Sequence, residues 1–261
     1  MTAPLPTSEL PCASRGSHSL QRVVSPLRPY YQDASVTIYH GDACELLPQI
    51  RGDVLLTSPP YGVQENNMAE RHKNKYDGAA DTLTRNLMDA LANANCKWRF
   101  VNVQTLSANK SLIWKWVGAN ADRLKDVIIW AKDNPPPSME PGVMDCAFEF
   151  IFCIADDDAW KRKFDGMEWR GTVKNLIRST VSTNEWAKYH RAAFPEWLPS
   201  WVVSNFSKPG ETIVDGCAGI GTTLRAAKDH GRLAIGVELN EKYCEIAAKR
   251  MAQECLTLGV G

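Results

Sequence analysis

The segment Ile213-Val214-Asp215-Gly216-Cys217-Ala218-Gly219-Ile220-Gly221-Thr222-Thr223 constrains the fold of this chain more than any other. An apolar run ending in an acid, then closely spaced glycines, then helical spacing from Thr222 to His230 describes a strand that turns sharply into a helix. Glycines let the backbone bend there and come close to a ligand. Residues 233–237 form a second apolar strand, Glu238 follows 22 residues beyond Gly216, and residues 241–251 read as another helix. In such a βαβα unit the turn meets a nucleoside-type ligand, and an acid ending the next strand receives its ribose hydroxyls. The glycine spacing alone also occurs in ordinary strand-to-helix connections. The strand before it, the helix after it and Glu238 single it out.

Charge narrows the ligand. A triphosphate cradle needs Gly-Lys-Ser/Thr, and Gly221 is followed by Thr222-Thr223. Asp215 at the mouth of the turn repels a pyrophosphate but suits the sulfonium and ammonium of S-adenosylmethionine; an acid there can also cap a helix.

The rest of the chain is consistent with one large α/β domain. Residues 1–33 are Pro/Ser-rich and without periodicity, so they read as a poorly ordered arm, and residues 34–261 as the folded domain. Apolar strands are expected at 36–39, 54–56, 100–103, 127–130 and 148–154, separated by helix-length segments, including one with Leu83, Leu87 and Leu91 at helical spacing. That alternation predicts a mostly parallel sheet with helices on both faces. A hydrophobic content of 44% is enough for a sizeable core. The eight cysteines are scattered and form no CxxC pair of the kind that recurs in zinc sites, which indicates reduced thiols in a cytoplasm and no metal site. No apolar run reaches signal-peptide or membrane-spanning length.

Thirty basic and thirty acidic residues cancel, yet residues 159–191 hold eight basic residues against three acidic ones, with Trp160, Trp169, Trp186 and Tyr189 between them. A solvated charged loop has the same composition. The interleaved aromatics favour a phosphate-facing surface, with Lys161, Arg162, Lys163, Arg170, Lys174 and Arg178 as DNA-binding candidates.

The other informative segment is Thr57-Ser58-Pro59-Pro60-Tyr61, at the end of the apolar strand 54–56. Two prolines fix two φ angles and preorganise the groups around them. An exocyclic amine of a base is a poor nucleophile, so a catalyst must accept its hydrogen bonds and stabilise the positive charge that develops on it. The Ser58 hydroxyl and the Pro59 carbonyl can do both while Tyr61 stacks on the base, which must be flipped out of a duplex to be reached. Ser58, Pro59, Pro60 and Tyr61 are the catalytic candidates.

Together these segments resemble the DNA amino-methyltransferases of the N4-cytosine and N6-adenine type, in the β-class order of catalytic corner, recognition region, cofactor turn. The likeness covers residues 36–251 and includes His40-Gly41-Asp42-Ala43, Ile129-Trp130-Ala131-Lys132, Phe148-Glu149-Phe150-Ile151 and the stretch with Phe194-Pro195 that leads to Phe206-Ser207-Lys208-Pro209-Gly210. It implies a Rossmann-like, S-adenosylmethionine-dependent methyltransferase fold with residues 133–190 as the target-recognition segment. By the same likeness, Asp42, Phe194, Pro195, Asp215, Gly216, Cys217, Gly219, Gly221, Thr222 and Glu238 hold the cofactor. The chain departs from the family pattern at Gly216-Cys217, where Pro-Phe is common, at Gly62, where asparagine is frequent, and at Arg191, where a proline often follows the histidine.

Ser-Pro-Pro-Tyr tends to accompany cytosine N4 in the family, and Asp-Pro-Pro-Tyr adenine N6. A neutral hydroxyl can accept from the amine and donate to ring N3 of cytosine, whereas a carboxylate only accepts. The expectation is therefore a prokaryotic or phage enzyme that methylates cytosine N4 in double-stranded DNA, with adenine N6 second. RNA or protein-amide methylation, and a catalytically silent DNA-binding relative, are the other readings. The resemblance also leaves room for a homodimer and for a cognate restriction endonuclease as partner.

Overall fold

The computed structural model describes residues 27–60, 83–106, 109–135, 137–138, 141–157, 161–181 and 195–253. These build a nine-stranded sheet from β1 (Tyr31–Gln32), β2 (Val36–His40), β3 (Val54–Thr57), β4 (Trp98–Val103), β5 (Leu124–Lys132), β6 (Phe148–Ile154), β7 (Leu176–Ser179), β8 (Thr212–Asp215) and β9 (Leu233–Glu238). Their order is β1-β2-β9-β8-β3-β4-β6-β5-β7. All run in one direction except β1, antiparallel to β2, and β6, antiparallel to β4 and β5.

A parallel sheet must be covered on both faces, and the sequence supplies apolar residues for each. β3 is buried at every position. Val54 and Leu56 point to one core with Trp98 and Phe100, beneath Leu198 and Val202 of α4 (Trp197–Phe206), Leu224 of α5 (Thr222–Asp229) and Ala247 of α6 (Glu241–Ala252). Leu55 points to the other with Val101, Val103 and Val214, beneath Ala43 of α1 (Ala43–Leu46), Met88 and Leu91 of α2 (Arg85–Ala92) and Trp116 of α3 (Lys110–Ala119). Local caps agree with these packings: Thr84 accepts from Leu87 N at 3.1 Å to start α2, and Asn240 from Lys242 N at 3.0 Å to start α6.

Two boundaries differ from the sequence expectation. The fold reaches into the segment read as an arm, because Tyr31–Gln32 pair with β2 and Tyr30 N donates to Ile38 O at 2.8 Å. Asp33 then fixes the turn, accepting from Ser35 N and Val36 N at 2.7 Å each and from Lys228 Nζ at 2.7 Å. Proline and serine content hid a strand too short to show periodicity. The span 133–190 is also no simple insert, since β6 and β7 inside it are members of the central sheet.

The common strand direction gathers His40, Thr57, Val103, Lys132, Ser179, Asp215 and Glu238 on one edge of the sheet. Ligands of open α/β sheets bind outside this carboxyl edge. No described helix is long and apolar enough to cross a membrane.

Candidate active site

At the carboxyl edge, β8 delivers Asp215 and the neighbouring β9 delivers Glu238, both almost fully buried. Asp215 Oδ1 accepts from Cys217 N at 3.0 Å. Glu238 Oε2 accepts from Gly219 N at 2.7 Å and Oε1 from Asn240 N at 2.8 Å. The turn is thus hung from the two carboxylates, and Ala218 N adds a bond to Val237 O at 2.9 Å.

Two glycines are favoured for different reasons, Gly221 by its backbone angle and Gly216 by crowding. Gly221 has φ +79°, and a Cβ on it would lie 3.1 Å from the Ala247 Cβ. A Cβ at Gly216 would meet Leu91 Cδ2 at 2.6 Å and Leu47 Cδ1 at 3.1 Å. The family proline at this position would need volume that Leu91 and Leu47 fill, which gives the Gly216 departure a physical reason.

Burial raises the pKa of Asp215 above the usual carboxylate range, against the lowering influence of Thr223, Cys217 N and Thr57. Burial raises Glu238 likewise, opposed by its backbone donors and reinforced by the Asp215 charge. Among the described residues neither acid forms an ion pair. The buried hydroxyls of Thr57 and Thr223 sit beside Asp215, close enough to hold its charge down, yet neither has a well-formed hydrogen bond. Two buried acids that pair with no cation among the described residues, flanked by two threonine hydroxyls, can receive a cation that carries hydroxyls and amines. These residues fit S-adenosylmethionine. Cys217 lines the turn as an inert group, because burial and the charges of Asp215 and Glu238 push its thiol well above the ordinary value.

Asp42 lies on the same edge, where Gly41 N donates to Glu238 O at 2.9 Å. Its carboxylate caps α1, accepting from Cys44 N at 2.8 Å. Thr222 is buried and accepts from Arg250 Nη1 at 3.1 Å. Pro195 is buried at the entry to α4; Phe194 lies outside the described residues.

β3 runs between β8 and β4, so the residues after it emerge one strand, about 4.8 Å, from Asp215 on one side and from the end of β4 on the other. Ser58 is half-buried and Pro59 buried; Tyr61 lies outside the described residues. The β3–β4 register ends at Thr57 opposite Val101, and one step beyond it come Ser58 and Asn102. Asn102 is 0% exposed and its Oδ1 has no partner among the described residues, while its Nδ2 donates to Glu149 Oε2 at 2.6 Å. Glu149 Oε1 in turn holds Lys132 Nζ at 2.6 Å. Sequence reasoning passed over Asn102, although a polar residue inside the run Phe100-Val101-Asn102-Val103 was a visible signal. Thr57 and Thr223 gave none, because their burial beside Asp215 exists only once the strand and the turn have packed together.

The six DNA-binding candidates are not brought together. Arg162 pairs with Asp126 at 2.7 Å, near the start of β5, and Lys163 with Asp165 at 3.2 Å. Asp165 O accepts from Lys97 Nζ at 3.0 Å, just before β4. Residues 161–165 therefore lie at the amino edge, roughly 20 Å from the carboxyl edge at 3.3 Å per residue along β5. Trp169 donates to Asn205 O at 3.1 Å at the far end of α4, so Arg170 begins there as well, and Lys174 precedes Asn175, which reaches Asp126 at 3.2 Å. Only Arg178, near the end of β7, stands on the carboxyl edge, exposed and 3.4 Å from Asp133.

A doubly wound sheet with a glycine turn, paired acids and a Ser-Pro-Pro corner on adjacent strand ends defines a Rossmann-like methyltransferase. A family model described as DNA methylase matches residues 53–249. The chain belongs to that family, whose members take the methyl group from S-adenosylmethionine. It is similar to the Type II methyltransferase M2.DpnII of Streptococcus pneumoniae, 23% identical across 87% of this chain and 93% of the relative. M.HinfI of Haemophilus influenzae is 27% identical across 83% and 68%. Among solved structures, the PvuII DNA methyltransferase (cytosine-N4-specific) superposes with a TM-score of 0.66 at 18% identity, covering 89% of this chain and 92% of that one. The M1.HpyAVI–SAM complex gives 0.58 at 23% identity, covering 84% and 100%.

Proposed function

We propose that this chain methylates the N4 amine of cytosine in double-stranded DNA. The observation that carries the reading is Ser58, a neutral hydroxyl on a proline-fixed corner one strand from the Asp215 turn. When bound, S-adenosylmethionine supplies an electrophilic methyl group. Asp215 and Glu238 hold the cationic and hydroxyl-bearing parts of that donor, in a setting that keeps water from screening them. The Ser58 hydroxyl accepts a hydrogen bond from the flipped amine and donates to ring N3 of cytosine, and the Pro59 carbonyl accepts the second N–H. Together they stabilise the charge that develops on the nitrogen. Tyr61 supplies the stacking face. The transfer is direct and uses no enzyme nucleophile; the Cys217 thiol, held protonated, is unsuited to one.

Arg178 is the DNA contact the geometry supports best, because it stands on the edge the base must approach. The Type II naming of the relatives supports a restriction-modification setting, with a cognate endonuclease reading the same site. The test is mass-spectrometric nucleoside analysis of DNA from cells expressing the chain. N4-methylcytosine above an empty-vector control, abolished by Ser58→Ala, is the expected result. N6-methyladenine in its place sinks the cytosine assignment, and neither product indicates a silent DNA-binding relative.

A further inference from the structure

We propose that Arg250 is a positioning residue of the cofactor site, tying the rear of the glycine turn to the head of α4 so that the two form one cradle. The inference rests on the reading of that turn as the S-adenosylmethionine site. Arg250 is in the last turn of α6 and only 2% exposed. Its Nη1 donates to Thr222 Oγ1 at 3.1 Å and to Ile220 O at 3.4 Å, on both sides of Gly221. Its Nη2 donates to Glu196 Oε1 at 2.7 Å. Glu196 directly follows Pro195 and opens α4, where its carboxylate does not cap its own helix.

Packing alone does not explain an arginine here. The neighbouring α6 residues Ala247 and Met251 already seat the turn, lying 3.1 Å and 3.4 Å from the place of a Gly221 Cβ. An apolar side chain of similar volume would fill the site, and exchanging a buried charge for one is often neutral or stabilising. The partner carboxylate is 54% exposed, so the pair does not form a closed buried bridge. What the guanidinium adds is direction: one planar group with fixed donors spans two segments that are 25 residues apart in sequence and that converge only at the cofactor turn. Burial lowers its pKa from the usual guanidinium value, opposed chiefly by Glu196. The cost of desolvation is kept where the two walls meet.

The test compares Arg250→Met, Glu196→Gln and the double variant by calorimetric titration with S-adenosylmethionine and by kinetics in which cofactor and DNA are varied separately. Each single variant is expected to weaken cofactor binding and raise its KM about tenfold, with kcat at saturating cofactor within about twofold and the KM for DNA unchanged. The double variant should be no worse than the singles, because both break one link. Unchanged cofactor affinity in Glu196→Gln, additive losses, or a fall in kcat with affinity intact each overturns the proposal. Glu196 is exposed enough that its variant decides the matter even if Arg250→Met does not fold. Asp215→Asn serves as the reference. If it leaves cofactor affinity untouched, the site reading itself fails; if it weakens binding and the Arg250 pair does not, only this proposal fails.

Discussion

The two edges of the sheet treat their polar residues differently. At the amino edge charges are matched: Arg162 with Asp126, Lys125 with Asp157 at 2.7 Å, and Asp156 with both Arg99 and Arg123. At the carboxyl edge Lys132 pairs with Glu149, but Asp215 and Glu238 are buried and pair with no cation among the described residues, and the buried Asn102 Oδ1 has no partner among them either. An unpaired buried polar group costs about 1–3 kcal/mol, so the two unpaired acids and the Asn102 oxygen point to a ligand, while the amino edge, where the one open donor among the described residues, Arg99 Nη1, belongs to a guanidinium already paired with Asp156, points to structure.

Perturbing the carboxyl edge should have the largest effects. Ser58→Ala is expected to reduce methyl transfer by about 10²-fold or more, with cofactor affinity retained, because it removes a transition-state acceptor. Radiolabelled methyl incorporation checks this. Asp215→Asn is expected to weaken S-adenosylmethionine binding by roughly tenfold to a hundredfold, the loss of one charged hydrogen-bond partner. Calorimetry would show it, and undiminished affinity would remove the contrast between the edges.

The same acids set a pH dependence. Burial raises both carboxyls, so cofactor binding should strengthen as pH rises through a window above the ordinary carboxylate value of about 4, as each acid ionises. The apo protein follows the opposite sign: its stability falls over that window, because ionising a carboxyl whose folded pKa is raised disfavours the folded state. Cofactor titrations and thermal melts between about pH 4 and pH 7.5 measure the two trends.

Smaller effects sharpen the contrast. Gly221→Ala places a side chain at φ +79° against Ala247 and should lower stability by about 1–3 kcal/mol, a melting shift of several degrees by calorimetry. Arg178→Ala should weaken duplex binding about three- to tenfold at low salt and flatten its salt dependence by about one unit of slope. Arg162→Ala, at the amino edge, loses an exposed ion pair worth about 0–1 kcal/mol and should leave the salt slope unchanged. If Arg162 rather than Arg178 moved the slope, the DNA-facing edge would have to be redrawn.

The βαβα unit was legible because its evidence is local. Strand, glycine turn, helix and Glu238 lie within forty residues, and their spacing follows from backbone geometry. The place of Ser58-Pro59-Pro60 after β3 was legible for the same reason. The basic window was not, because charge counting has no direction: the chain from 161 to 179 runs from the amino edge to the carboxyl edge and spreads its cations along the way. Asp42 reads as a ligand in the sequence, and the fold adds that its carboxylate caps α1, a second role that an acid before a helix does not announce.

By itself the sequence determined the fold class, the parallel alternation, the two motif segments and the family they belong to, all carried by short-range patterns of burial and turn chemistry. Only the tertiary structure decided that the Thr57 and Thr223 hydroxyls would lie buried beside Asp215, that Asn102 would come level with Ser58, and that Arg250 would reach across to Glu196. The reason is physical: strand order and register bring residues together that are far apart in the chain, and an unmet hydrogen bond is created only when water has been excluded around it.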